Sequence, residues 1–120
     1  MADAEKKPIL VVLTTGKESF MRSNSIIQAV IGMKKFSGVP VEIMFLGPGV
    51  DLLRSNQRNS PMWQKNIESL KEAGVKTVAC SVSLEGFGIR EDEMFSLDAL
   101  VMGGKEIAEK FAEGYHVMTF

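Results

Sequence analysis

Cysteine and histidine occur once each in this chain of 120 residues, at Cys80 and His116. One cysteine cannot close an internal disulfide, so an oxidising compartment finds no support. One cysteine and one histidine cannot supply a structural set of metal ligands either, and no metal is expected. Long apolar runs are missing too. Ile9–Leu13 and Ile43–Leu46 fall far short of the ~20 residues that a membrane-spanning helix needs. Residues 1–7 read as a polar tail rather than a secretion signal. A net charge of −1, with basic residues scattered as Lys34–Lys35, Arg54, Arg58 and Lys110, argues against nucleic acid or an anionic membrane as partner. A cytoplasmic protein is the expectation. With 45% apolar residues, the chain can bury a core without staples, and its length suits one domain over residues 8–120.

What is present alternates. Ile9–Leu13 is a continuous apolar run, as in a strand covered on both faces. Thr15 and Glu18 have capping-box spacing and predict a helix start, with the helix running to about Phe36 and stopping at Ser37–Gly38. Val41–Leu46 predicts a second strand closed by Gly47-Pro48-Gly49, and Val50–Leu53 a short helical turn. Ser60–Pro61 predicts an N-cap with proline at the first helical position, and Trp63, Ile67 and Leu70 mark the inward face up to Gly74. Val75–Leu84 holds the third strand, with Cys80 at its outgoing end. A short helix from Glu91 to about Phe95 follows, then a strand Ala99–Met102 closed by Gly103-Gly104. A helix over 105–113 is expected with Ile107, Ala108 and Phe111 inward, and Tyr115–Phe120 is the last strand. Five strands alternating with helices imply a three-layer, flavodoxin-like α/β domain with a mostly parallel sheet and right-handed crossovers.

In such a sheet all strands emerge at one edge, where ligands bind. Cys80 and Ser81 leave that edge beside Thr15-Gly16, Gly47-Pro48-Gly49 and Gly103. Small residues there let backbone approach closely and leave amides to face an anion. A helix start after Cys80 can lower its thiol pKa. A free cysteine on a strand is also a common packing residue, so the residues alone leave reactive and inert readings open. His116 begins a strand and in a parallel sheet lies at the opposite edge, so no Cys–His dyad within one chain is expected. Thr15-Gly16-Lys17-Glu18 lacks the first glycine and the Ser/Thr of a P-loop, and Gly86-x-Gly88 lacks the third glycine of a dinucleotide fingerprint. No cofactor is expected.

Taken in order, several segments resemble the DsrE/DsrF-like family of small sulfur-relay proteins. These are Leu10–Gly16, Phe45–Val50 with Leu52–Leu53, Gly74–Ser81 with Ser83–Leu84, Gly88–Ile89, and Gly114–Val117. The resemblance covers nearly the whole chain. It implies a flavodoxin-like fold, assembly as a homotrimer or homohexamer, and Cys80 as a sulfurtransferase's persulfide carrier between donor and acceptor proteins. Ser81-Val82-Ser83-Leu84-Glu85 after the cysteine departs from the alanine- and arginine-containing helix start of the TusD-type carriers and is closer to the YchN-like members. Two other readings fit the same fold. One is a small-anion binding module with Cys80 as a neutral wall; the other is an oligomeric adaptor anchored by Phe87, Met94 and Phe95.

Overall fold

The computed structural model describes residues 6–120; residues 1–5 of the expected tail lie outside the described residues, and Lys6 and Lys7 are exposed. Five strands, β1 (Ile9–Leu13), β2 (Val41–Phe45), β3 (Lys76–Cys80), β4 (Ala99–Val101) and β5 (His116–Thr119), form one sheet in the order β4-β3-β2-β1-β5. Every pairing is parallel. The helices are α1 (Phe20–Ser37), α2 (Ser60–Glu72), α3 (Ser81–Gly86) and α4 (Gly103–Ala112), with 3-10 turns at Lys17–Ser19, Gly47–Leu53 and Glu91–Glu93.

From β1 to β4 the chain steps in one direction, and right-handed crossovers keep α1 and α2 on one face. Ile26, Ile27 and Val30 of α1 and Trp63, Ile67 and Leu70 of α2 pack there on Val11, Leu13, Ile43 and Phe45. From β4 to β5 the chain returns across the whole sheet. That reversal puts α4 alone on the other face, over Leu10, Val12, Met44 and Val78. Period-two alternation of the strands sorts their side chains between these two cores.

Several local expectations are corrected. The capping box at Thr15 is replaced by a 3-10 turn: Glu18 Oε1 accepts from the Gly16 amide (2.9 Å), and Ser19 caps α1. Gly38 closes α1 at φ 70°, where a side chain would be strained. Ser60 lies inside α2, whose N-cap is Asn59. Ser81–Leu84 are helical, so β3 stops at the cysteine itself. The Glu91 helix is a single 3-10 turn. Gly103 and Gly104 open α4 instead of closing a strand. Phe111 is 72% exposed and Ala108 is exposed too, while the inward face of α4 holds Gly103, Glu106 and the half-buried Ile107 and Lys110. The reason lies underneath: Glu42 of β2 draws the polar stripe of α4 towards the sheet. Met94 and Phe95 pack against the main core, and of the three proposed anchors only Phe87 is exposed.

Candidate active site

Cys80 ends β3 and is the N-cap of α3, so its sulfur sits where a strand turns directly into a helix. Its Sγ accepts a hydrogen bond from the Ser83 amide at 3.4 Å, the bond that an N-cap side chain makes to the third helical residue. The first turn of α4 meets the same sulfur from β4's side. A Cβ on Gly103 would lie 3.0 Å from Sγ and 2.7 Å from Leu46 Cδ1, so only glycine lets the α4 backbone come this close. Cys80 is 4% exposed.

Burial pushes the thiol pKa up, and the surrounding donors outweigh it. The Ser83 hydroxyl and the amides of Ser83, Gly103 and Val82 together hold the thiol below its ordinary value. These donors are fixed by two helix starts and need no reorganisation when the sulfur becomes charged. Ser83 is itself held: its Oγ accepts from the Gly47 amide at 2.9 Å, which leaves the hydroxyl hydrogen available to the sulfur.

The other residues expected at this edge fall into two groups. Gly47, Ser81 and Gly103 gather round Cys80, with Ser81 Oγ donating to Val101 O (3.2 Å). Thr15, Gly16 and Gly49 belong instead to an adjoining seam. Gly16 lies against Pro48 O, and Gly49 against Leu13 O, each too close for a side chain. The buried Thr15 gives its carbonyl to Ser23 Oγ (2.9 Å). The amides of Gly16, Gly47 and Gly49 are all engaged within the chain, by Glu18 Oε1, Ser83 Oγ and Leu46 O. They are therefore structural donors here.

His116 pairs in register with Ile9 at the incoming edge, so the sheet separates it from Cys80 at the outgoing edge. Glu91–Glu93 form an exposed turn in which Arg90 binds Asp92 (2.7 Å). Ser81 also lines an open cleft of about 510 Å³ with Leu84, Ile89, Leu100 and Arg90 beside it. A cleft of about 480 Å³ at the other end of β3, lined by Lys71, Gly74, Val75, Lys76 and Asp98, lies away from the sulfur. Among the described residues no three His, Cys, Asp or Glu side chains gather to hold a metal ion.

From the sequence alone Ser83 reads as a backbone cap, not as a donor to the sulfur. Its signal is the spacing Cys80-x-x-Ser83 at a strand-to-helix junction, the N-cap-to-third-residue spacing of a capping box with sulfur in place of oxygen.

With this geometry in view, the sequence profile of the DsrE/DsrF-like family matches residues 7–120. The chain belongs to that family. Solved structures share the fold. An MTH1491 protein of unknown function from Methanobacterium thermoautotrophicum is 21% identical, with 95% of this chain and 99% of that chain covered at a TM-score of 0.78. YchN from E. coli is 19% identical over 96% and 99% of the two chains, with a TM-score of 0.71. BT1422 from Bacteroides thetaiotaomicron, also of unknown function, is 18% identical over 100% and 99%, with a TM-score of 0.70. A search of curated proteins finds no match. Membership of the DsrE/DsrF-like family supports a sulfur-relay role at the level of the family. No helix among the described residues is long and apolar enough to cross a membrane.

Proposed function

We propose that Cys80 is a persulfide carrier. The observation that carries this reading is the set of donors on its sulfur: two helix starts and the Ser83 hydroxyl favour the thiolate in a nearly buried seat. The thiolate is the nucleophile that sulfur transfer requires. In the loading step, Cys80 Sγ⁻ attacks the sulfane sulfur of a donor and forms an S–S bond. The donor's bond to that sulfur breaks, and its thiolate or sulfite leaves with the electron pair. In the unloading step a partner thiolate attacks the outer sulfur, and Cys80 departs as thiolate, which the same donors stabilise. No net oxidation occurs. With no second cysteine in the chain, the acceptor is a thiol on another molecule.

An anion-binding module draws less support, because the glycine amides that would face an anion already have partners within the chain. Assembly as a homotrimer or homohexamer belongs to this proposal as well. Light scattering of the purified protein tests it, and a monomer at working concentration overturns it.

The carrier is tested by incubation with thiosulfate or polysulfide followed by intact mass measurement. One added sulfur atom is expected, released by cyanide as thiocyanate, and absent from Cys80→Ser. No adduct on the wild type, or an equal adduct on Cys80→Ser, overturns the reading.

A further inference from the structure

Glu42 is the one charged residue of β2, the middle strand of the sheet. It is 2% exposed and lies in register between Leu10 of β1 and Lys76 of β3, under α4. A carboxyl in such a place ordinarily has donors. Here neither oxygen accepts a hydrogen bond from one, and the Nζ atoms of Lys76 and Lys110 each stop 3.9 Å from Oε1. The other group that faces it is a second carboxyl, Glu106 of α4, itself only 9% exposed and one turn before Lys110 on the same helix. Two carboxylates have no hydrogen to share, so this contact holds only when one of them carries a proton.

The remaining charged groups round the pair are few. Lys110 also neighbours Glu113 (3.8 Å) and lies over the ring of Tyr115 (5.2 Å), and β1 offers only Leu10. Burial first, then Glu106, raises the Glu42 carboxyl to about 8, against the pull of Lys76 and Lys110. Glu106 sits in the first turn of α4, its amide donating to Met102 O (2.9 Å), three residues from Gly103 at the sulfur.

We infer that Glu42 and Glu106 share one proton, and that this bond is a pH-sensitive clip holding the first turn of α4, and with it Gly103, against Cys80. The clip stands whether or not Cys80 carries sulfur. Its sign follows from the raised value. The folded chain keeps a proton that the unfolded chain loses above about 4.5, so stability falls as pH rises from there through about 8 and then levels.

Two measurements test it, neither involving sulfur transfer. The first is thermal unfolding from pH 5 to 9.5. Wild type should lose melting temperature across neutral pH. Glu42→Gln, whose amide donates to Glu106 without a proton, should stay flat and overtake it at high pH. A Glu42→Gln curve that falls in parallel with wild type overturns the shared proton. The second is the pH–rate profile of Cys80 alkylation by iodoacetamide. Removing a negative charge alone would lower the thiol midpoint, whereas losing the clip raises it. Glu106→Ala should therefore move the midpoint up and slow alkylation at pH 7 roughly threefold, about half a pH unit, with Glu106→Gln restoring the wild-type profile. An unchanged or lowered midpoint in Glu106→Ala overturns the link to Cys80.

Discussion

Ser83 touches the sulfur with its amide and its hydroxyl, and the hydroxyl is steered by Gly47. Its removal separates stabilisation of the thiolate from packing of the cysteine. Ser83→Ala keeps the helical backbone and the amide bond but loses the hydroxyl and leaves the Gly47 N–H without a partner. A hydrogen bond to a charged group is worth about 1.5–3 kcal/mol, so the midpoint of Cys80 alkylation should rise by roughly one pH unit. A midpoint equal to wild type would show that backbone amides alone tune the thiol. At this scale the place of the cysteine is legible in the sequence and that of its donors less so. Cys80 at the outgoing end of an apolar strand follows from periodicity. Which donors meet it depends on β3 ending at the sulfur itself, and β-propensity continues through Val82. Glu42 does carry a signal: a charge inside Val41–Leu46, a strand with no solvent side, needs a buried partner.

The inner strands β1 and β2 are legible as elements because both their faces are covered and their sequences are nearly unbroken apolar runs. The inward face of α4 is legible only in part: Ile107 packs on the sheet as its spacing predicts, but Ala108 and Phe111 face solvent while Glu106 and Lys110 turn inward. Between strands and helices, the turn Gly47–Leu53 is the organising piece. Its Asp51 binds Arg54 Nε (2.6 Å) and Lys17 (3.1 Å), and Arg54 reaches the carbonyl of Phe87 just past α3 (2.8 Å). Burial raises the Asp51 carboxyl, and Arg54 and Lys17 outweigh it, holding the group below its usual value. A depressed value means that stability is fully present above the unfolded pKa and lost as pH falls through the folded one. Asp51→Asn should therefore cost about 1 kcal/mol at pH 7, with the difference from wild type shrinking below pH 4. Denaturant melts at the two pH values check this, and a difference independent of pH would remove the ion pairs as its cause.

Across the whole molecule, coverage is unequal. The α1–α2 layer seals one face, a single ten-residue helix crosses the other, and β4 and β5 form open edges whose residues are mostly half-buried or exposed. Local opening follows contact density. Hydrogen exchange should therefore protect β1, β2 and β3 most strongly, with β4 and β5 exchanging well before them. Equal protection in all five strands would mean that another chain covers the edges in solution. The order β4-β3-β2-β1-β5 lay beyond the reach of the sequence. Adjacent parallel strands are read from crossovers, but nothing local says that the last strand returns past three others to join the first.

That return also sets a timetable for the growing chain. β1 is made first and gains β2 soon after, yet its other flank waits for β5. Ile9 pairs with His116, and Thr14 closes on the carbonyl of Phe120 at 2.7 Å, 106 residues away. Until β5 is synthesised, the nascent chain carries an apolar strand with an unfilled edge, the kind of surface that recruits another copy or a chaperone. The arrival of β5 thus decides when β1 stops being adhesive.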